Sequence, residues 1–293
     1  MIDRYHLRYF LAVIDQGNFS KAAATCNVSQ PTLSVGIAKI EKMLGQTLFL
    51  RTNRRVELTD AGARLASHAR RIEADFALAE RDVAGADTTG TIRLGVLVTT
   101  PARWIEAFLH DRRDAGLHER VEIVEARERE LLDRLARGRI DLALTIVRAD
   151  HPRYEQQLLF SEGYSLAISS THRLADRGVV TPDALMNEPM IVRQHCELLS
   201  ETSRYFTARG VRPFFSARTT SESRALAYVR SGLGVTVMPD CFVAEGIVRP
   251  HLPDFAFSRD IGLVYAPHVD ATKLRDGLTV RGLIRAVEAG DGS

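Results

Sequence analysis

The chain has 293 residues, of which 45% are hydrophobic and 26% are charged, and its formal net charge is +2. This composition is typical of a globular protein with two or three compact units. A run of about 18 apolar residues is absent, which excludes a transmembrane helix, and the charged N-terminus does not resemble a signal peptide. We therefore expect a cytoplasmic protein. Three scattered cysteines exclude a disulfide framework or a zinc site.

The first predicted elements are two short helices near the N-terminus. Helical spacing of apolar residues predicts a helix over residues 4–16, with an apolar face made of Leu7, Phe10, Leu11 and Ile14. Gly17 ends this helix, and Ser20 is predicted to cap the alanine-rich segment that follows it.

The segment "VSQPTLS" predicts the start of a third helix. Ser29 can cap its first turn, where Pro31 loses no hydrogen bond because that N–H has no partner inside a helix. Gly45 closes the helix after Leu44. Three short helices, the last two joined by a tight turn, are the helix-turn-helix arrangement.

Residues 47–59 predict a β-wing, because two short apolar stretches flank the basic turn "RTNRR". Between Ser29 and Arg55 the sequence holds five basic residues and a single acidic residue, Glu41. Such a local excess of positive charge favours a polyanionic partner such as nucleic acid. A basic face that is merely solvated is the alternative.

The segment from Asp60 to residue 88 predicts a long helix with two interleaved heptad positions. We expect it to dimerise in the manner of a coiled coil, with the alternative that it packs on its own domain. The residues expected at the dimer contact are Leu65, Ala69, Ile72 and Phe76.

Beyond a linker at residues 85–90, strand and helix patterns alternate. The order βαβαβ implies a parallel sheet with helices on its faces, and a second α/β set follows. The predicted strands are 91–98, 121–126, 140–147, 164–169, 190–193, 213–219, 234–239 and 260–267, and a last helix runs to about 288. Two α/β lobes would leave a cleft between them, a common place for a small ligand.

The motifs "NFSKAA", "VSQPTLS", "IEKMLG", "LFLRT" and "LTDAG" occur in this order, and "IRLGV", "RGRIDLAL" and "SGLGVTVMP" follow. In these motifs the chain resembles the LysR-type transcriptional regulators. The resemblance implies a winged helix-turn-helix (1–59), a linker helix (60–88) and a two-lobed effector domain (89–293) resembling type 2 periplasmic binding proteins. The fold class expected is thus α/β with an all-α N-terminal part.

The same resemblance implies the partners. These are double-stranded promoter DNA, a small-molecule effector and further copies of the chain in a homodimer or homotetramer; contact with RNA polymerase is a further possibility, and no membrane is involved.

The candidate DNA-contacting residues lie on the second and third helices and on the wing. They are Ser20, Lys21, Ser29, Gln30, Pro31, Thr32, Ser34, Lys39, Arg51, Arg54 and Arg55. Gln30 can read adenine, and a helix N-terminus favours a phosphate; for Ser29, capping alone is the alternative. Many relatives carry a polar residue where this chain has Val35 followed by Gly36. We therefore expect fewer direct hydrogen bonds to base edges and more recognition of DNA shape.

The candidate effector-contacting residues follow the strand ends around the expected cleft. They are Thr99, Thr100, Arg103, Thr145, Val147, His195, Cys196, Thr219 and Thr220. Hydroxyl groups and helix N-termini suit a carboxylate or another small anion. The alternative for each threonine is a local cap, as Ser221 is expected to provide for the helix after it.

Cys196 lies beside His195 and just before a predicted helix, a setting that lowers the pKa of a thiol. Together with Thr99, this pair partly resembles the peroxide-sensing branch of the family. That branch has a resolving cysteine nine positions on, where this chain has Tyr205, so a disulfide of that kind is not available. Oxidant sensing through Cys196 is the alternative function; Cys26 and Cys241 are expected to be small hydrophobes.

The sequence predicts no enzyme. It contains no glycine-rich phosphate loop, no G-x-S-x-G turn and no cluster with metal-ligand spacing, so we expect no catalytic residue, metal or cofactor beyond a small, anionic effector. A solute-binding protein or an enzyme built on the α/β part is the less favoured alternative.

Overall fold

A computed structural model describes residues 2–51, 56–83, 90–149 and 154–291 of the chain. These residues form two compact units, and the main boundary along the chain lies between Thr89 and Gly90. The first unit comprises Met1–Thr89, Asp133–Ile140 and Ala266–His268, and the second comprises Gly90–Leu132, Asp141–Tyr265 and Val269–Ser293.

The N-terminal unit consists of four helices and a two-stranded antiparallel sheet. Its elements are α1 (Arg4–Gln16), α2 (Phe19–Thr25), α3 (Gln30–Leu44), β1 (Phe49–Arg51), β2 (Val56–Leu58) and α4 (Asp60–Val83). The predicted helix-turn-helix and wing strands are thus present, although α2 ends at Thr25, three residues before the predicted end.

The apolar faces of α1 and α3 meet in one core. Phe10, Val13, Leu33 and Ile37 have no exposed surface, as expected for an amphipathic helix whose apolar stripe packs inward. Leu44, predicted on the same stripe, is 41% exposed because it is the last residue of α3.

The caps of these helices follow local side-chain chemistry. Ser29 accepts a hydrogen bond from the backbone N–H of Thr32, and Gly45 ends α3 with φ of 62°, as predicted. The prediction of Ser20 as the cap of α2 is wrong. The cap is Asn18, whose side chain accepts from the backbone N–H groups of Ser20 and Lys21, because α2 begins one residue before Ser20.

Helix α4 has one face in the N-terminal unit and one face in solvent. Ala69 is fully buried and Leu65 packs beside it in the helical core, so neither is free to contact a second chain. Ile72 and Phe76 are exposed by 38% and 44%. The dimer prediction therefore depends on these last two residues alone.

The second unit contains nine strands and six α-helices within the described residues. The strands are β3 (Thr91–Leu97), β4 (Arg120–Ala126), β5 (Leu142–Ile146), β6 (Gln156–Ser169), β7 (Met190–Arg193), β8 (Phe215–Thr219), β9 (Thr236–Pro239), β10 (Ile247–Val248) and β11 (Ser258–Tyr265). The helices are α5 (Ala102–Asp114), α6 (Glu128–Ala136), α7 (Leu199–Ala208), α8 (Glu222–Arg230), α9 (Ala271–Asp276) and α10 (Leu278–Asp291), with a 3₁₀ turn at Pro182–Leu185.

The predicted βαβαβ unit forms the first lobe, in which β3 pairs in parallel with both β4 and β5. Strand β11 joins β5 and β6 antiparallel. The second half of β6 pairs with β9 and β10 in the second lobe, where β7 and β8 form a parallel pair. Strand β6 therefore runs from one lobe into the other.

Two predicted elements differ from the structure. Strand β6 begins at Gln156 rather than at residue 164, because its polar first half is held by pairing with β11. The predicted last helix is two helices, α9 and α10, separated at Gly277, which adopts an extended conformation. Within the described residues, none of the helices combines the length and apolar character needed to span a bilayer.

Candidate functional site

The N-terminal end of α3 forms an exposed surface of small polar side chains. Gln30, Pro31 and Thr32 are all exposed, and Gln30 Nε2 donates to Ser34 Oγ over 2.8 Å. The backbone N–H groups of this first turn face the same end and give it a partial positive charge. This surface can therefore accept a phosphate and present an amide to a base edge.

The remaining described candidates for DNA contact lie on α2, further along α3 and at the end of β1. Ser20 and Lys21 are exposed in the first turn of α2, and Lys39 is exposed two turns along α3. Arg51 ends β1, while Arg54 and Arg55 lie outside the described residues. The prediction of a basic wing thus stands on the sequence alone.

Val35 and Gly36 have different roles, contrary to the sequence interpretation that grouped them as lost contacts. Val35 is 67% exposed and lies on the outer face of α3. Gly36 is buried against α1, where an added Cβ would lie 2.8 Å from Tyr9 Cδ2. Gly36 thus allows α1 and α3 to approach closely, and only Val35 bears on base reading.

A buried ion-pair cluster joins the two lobes of the second unit. Arg259 on β11 is paired in register with Glu162 on β6, and its Nε donates to Glu162 Oε1 over 2.9 Å. Its NH1 donates over 2.9 Å to the carboxylate of Glu197, which lies in the second lobe between β7 and α7. One guanidinium therefore binds two carboxylates from different elements.

Two hydroxyl groups complete this cluster. Thr99, fully buried after β3, donates its hydroxyl hydrogen to Glu197 Oε1, and Arg259 NH1 lies 3.2 Å from the same hydroxyl oxygen. Tyr164 on β6 donates to the other oxygen of Glu197 over 3.4 Å. Thr99, Glu197 and Arg259 define the interlobe site, in which a carboxylate from one lobe is bound by donors from the other.

The charges of this site set the ionisation of its members. Burial opposes the charge on Arg259, but Glu197 and Glu162 outweigh it and raise the pKa of the guanidinium, so Arg259 stays cationic. Burial, with the charge of Glu197, raises the pKa of Tyr164, so this phenol stays protonated and able to donate.

His195 makes a second contact between the lobes. Its Nε2 accepts a hydrogen bond over 2.5 Å from Arg127, which precedes α6 in the first lobe, because a guanidinium can only donate. Burial and the charge of Arg127 lower the pKa of His195, which keeps the ring neutral. The proton then resides on Nδ1, which has no partner among the described residues.

The expected lowering of the Cys196 pKa is wrong. Burial raises the pKa of this thiol, and the nearby charge of Arg193, whose NH1 lies 3.5 Å from Sγ, only partly opposes this effect. Arg193 is itself bound to Glu222, which takes up much of its charge. Cys196 is therefore a protonated thiol in this arrangement.

Three further threonines of the predicted set do not contribute to the interlobe site, because each bonds to a nearby backbone group or is exposed. Thr100 donates to the Leu97 carbonyl over 2.7 Å, and the Thr219 hydroxyl accepts from the backbone N–H of Ser221. Ser221 caps α8, as the alternative interpretation expected. Thr220 is exposed beside them.

Arg103, Thr145 and Val147 do not join the interlobe site. Arg103 Nη2 donates over 2.5 Å to the carbonyl of Cys241 and over 3.0 Å to that of Gly290. Its guanidinium therefore holds two backbone segments together. Thr145 is fully buried within β5, and its hydroxyl has no partner among the described residues. Val147 follows β5 and donates its N–H to Asp260.

Sequence reasoning missed Glu197, Arg259, Glu162 and Tyr164. The one local signal was Arg259 at the start of the mainly apolar strand "SRDIGLVY", since a buried charge in a strand must be paired. Within the described parts of the chain, no group of three or more His, Cys, Asp or Glu side chains could hold a metal ion.

A helix-turn-helix with an exposed, polar helix end, in a chain that also carries a two-lobed α/β domain, is the arrangement expected of a DNA-binding regulator. The profile described as "Bacterial regulatory helix-turn-helix protein, lysR family" matches residues 5–63. The profile described as "LysR substrate binding domain" matches residues 85–276. The chain belongs to the LysR family of transcriptional regulators.

Relatives with curated names include peroxide regulators. The "Probable hydrogen peroxide-inducible genes activator" of Streptomyces viridosporus is 34% identical over 251 residues, which cover 83% of this chain and 79% of the relative. The "DNA-binding transcriptional dual regulator OxyR" of Escherichia coli K12 is 28% identical over 272 residues, covering 89% and 88%. These likenesses agree with the similarity to the peroxide-sensing branch.

Solved structures confirm the fold. A variant of Corynebacterium glutamicum OxyR is 24% identical, with a TM-score of 0.55 over 100% of this chain and 95% of that one. Full-length BenM is 22% identical, with a TM-score of 0.53 over 99% and 98%. The predicted fold class, an α/β chain with a helical N-terminal part and a two-lobed effector domain resembling periplasmic binding proteins, is thereby confirmed.

Proposed function

We propose that this regulator binds promoter DNA as an oligomer and is controlled by a small carboxylate or similar anion at the interlobe site. The observation that carries the proposal is the Glu197 carboxylate, which accepts hydrogen bonds from both Arg259 and Thr99. A site that already binds one carboxylate so fully has the donors that an external carboxylate needs.

Glu197 acts in this proposal as an internal anion. It belongs to the second lobe, whereas Thr99 belongs to the first, so its hydrogen bonds hold the lobes together. An effector anion that takes its place on Arg259 releases the segment that carries Glu197. The two arrangements of that segment then differ in the contacts made across the cleft, as a switch requires.

The effector site is tested by titrating wild type and Glu197→Gln with a panel of small organic acids in a thermal-shift assay. Gln at this position keeps the shape but removes the competing charge, so acids that bind wild type are expected to bind the variant about tenfold more tightly. Glu201→Gln, a half-buried change on α7 whose carboxylate bonds only to Ser200 and Arg204 among the contacts described, is the control. Equal affinities for wild type and Glu197→Gln would contradict this role.

DNA binding is tested by selecting ligands from a random double-stranded library and titrating them at several salt concentrations. Gln30→Ala is expected to change sequence preference, because the amide reads a base edge, while Arg54→Ala is expected to weaken binding to all sequences. The salt dependence should be steep, since phosphate contacts release counterions. Absence of binding at low salt would contradict the proposal.

The proposed assembly is a dimer made through α4, with a tetramer as its larger form, and contact with RNA polymerase at the promoter is part of the same proposal. Ile72 and Phe76 supply the exposed apolar surface for such a contact. Because its partner is chromosomal DNA, we place the protein in the cytoplasm. We assign it no catalytic activity.

A second candidate function is oxidant sensing through Cys196, as in the relatives named as hydrogen peroxide-inducible genes activators. The thiol adjoins Glu197, so its oxidation to a sulfenic acid would disturb the same site. Titrating peroxide against wild type and Cys196→Ser, with DNA affinity as the readout, tests this function. A response that the variant retains excludes Cys196 as the sensor.

A further inference from the structure

The second lobe contains a cavity of about 590 Å³ between α7 and the parallel pair of β7 and β8. Its wall is mainly apolar and is formed by Met190, Leu199, Phe206, Val211, Phe215 and Val237. This volume is within the range of cavities that hold small molecules.

The cavity is distinct from the interlobe site. Every residue that lines it belongs to the second lobe, between Met190 and Val237 along the chain. Neither Thr99 nor Arg259, the two donors of the interlobe site, contributes to its wall. An occupant therefore uses neither of the donors that the interlobe site provides.

Two arginines give the cavity a positive margin. Arg212 and Arg218 line it, both are exposed, and neither guanidinium forms a hydrogen bond or ion pair with a residue that the structure describes. The Arg218 guanidinium lies 5.2 Å from the centre of the Phe215 ring, which holds the charge beside the apolar wall. Among the described residues no carboxylate forms an ion pair with either cation, so the margin attracts an anion.

Two further donors in the wall lack partners. Thr202 Oγ1 and Arg193 NH2 are buried, and neither has a hydrogen-bond partner among the described residues. Both residues line the cavity. Buried donors without acceptors cost free energy, which a polar ligand atom or a water brought with it can recover.

We propose that this cavity binds an amphipathic acid, with its apolar body against Phe206 and Val237 and its anionic group at Arg212 and Arg218. The apolar wall supplies the affinity, and the two cations select for negative charge. The site goes beyond the proposed effector function and does not depend on it. Because Cys196 and Leu199 line the cavity and flank Glu197, an occupant would touch the segment that carries the internal anion.

The test uses two probes with the same tail, decanoate and decyltrimethylammonium, titrated into the full-length protein by calorimetry. Decanoate is expected to bind with one-to-one stoichiometry and a Kd below about 1 mM, and the cationic probe at least about tenfold more weakly. Saturable binding of decanoate that is no tighter than that of the cation would overturn the proposed selectivity, and no binding of decanoate would overturn the site.

Variants locate the binding. The double change Arg212→Gln with Arg218→Gln is expected to weaken decanoate by about tenfold or more, since it removes charge-assisted hydrogen bonds. Ser203→Trp places a large side chain at the exposed face of α7 that lines the cavity and is expected to abolish binding. Arg224→Gln, an exposed arginine of α8 outside the cavity wall, is the matched control and should bind like wild type.

The folding of Ser203→Trp, the variant that fills the cavity, is checked by circular dichroism before titration. Thr207→Trp, one turn further along α7 and also in the wall, serves if Ser203→Trp does not fold. Unchanged decanoate affinity in a folded filling variant would place the ligand elsewhere and overturn the proposal. So would an equal loss of affinity in Arg224→Gln and in the double arginine variant.

Discussion

At the scale of single residues, Arg259 is the group on which the interlobe site depends. Its side chain is 3% exposed and binds Glu162 and Glu197, two carboxylates that are themselves almost buried. Replacing the cation leaves both charges without compensation in a site that water barely reaches. Breaking a buried pair in this way is far more costly than losing a pair on the surface.

We therefore predict that Arg259→Met lowers the free energy of unfolding of the second unit by about 3–5 kcal/mol, measured by urea denaturation. The double variant Arg259→Met with Glu162→Gln should recover part of this loss, because one uncompensated charge is removed with its partner. Arg281→Met, at an exposed position of α10, is the control. A loss under about 1 kcal/mol would show that the carboxylates find other partners.

The raised pKa of Cys196 makes a prediction about reactivity. A thiol whose pKa lies above its ordinary value holds less thiolate at neutral pH, and the thiolate is the nucleophile. In a variant with Cys26→Ala and Cys241→Ala, labelling by iodoacetamide should keep accelerating beyond about pH 8.5, where an ordinary thiol is half ionised. A rate already constant at about pH 7 would mean that the pKa is lowered instead.

At the scale of elements, the cap of α2 offers a direct comparison between sequence and structure. Asn18 accepts two backbone hydrogen bonds at the start of α2, whereas Ser20 lies inside the first turn. Asn18→Ala should cost about 1 kcal/mol in thermal or urea unfolding, and Ser20→Ala much less. A larger loss of stability for Ser20→Ala than for Asn18→Ala would show that Ser20 is the cap after all.

The start of α4 lies close to the segment just before β1. A Cβ at Gly62 would clash with the backbone oxygen of Leu48, so Gly62→Ala is predicted to lower the melting temperature of the N-terminal unit. Gly178→Ala, where no atom lies within 4 Å of an added Cβ, is the matched control. Equal melting temperatures for the two variants would show that α4 can shift without cost.

Elements with local signals were predictable from the sequence, and those held by distant pairing were not. Helix α3 has its cap, proline and terminal glycine within its own sequence, and its predicted bounds agree with the structure. The first half of β6 is held by β11, about 100 residues further along, and its polar sequence gave no periodic signal. Tertiary pairing overrides local pattern in such strands.

The residues of the candidate site likewise divide into those with a local sequence signal and those brought together by distant contacts. Thr99 was predicted from its place after a strand, but its partners Glu197 and Arg259 are 98 and 160 positions away. Register across β6 and β11 brings Glu162 opposite Arg259, and no single-sequence pattern specifies that register. Of the residues that meet in the interlobe site, the sequence therefore predicted only Thr99, and that the site takes a small anion stays a prediction.

At the scale of the whole molecule, the exposed face of α4 is predicted to join two chains. Ile72→Glu places a charge on that face and should shift the protein toward monomer in sedimentation velocity runs, because a charge is costly in an apolar contact. Ser67→Glu, an exposed change on the opposite side of the same helix, is the control. Unchanged sedimentation of Ile72→Glu would direct the search for the dimer contact to other surfaces.

Glu197 is tethered to the chain, and this has a consequence for how the regulator responds. A tethered carboxylate competes at a high local concentration that does not vary with the cell's metabolism. On the proposed function, the apparent Kd of an external anion equals its intrinsic Kd divided by the fraction of molecules in which Glu197 has left the site. The regulator would thus carry its own threshold, and substitutions at Glu197 would reset the effector concentration at which transcription changes.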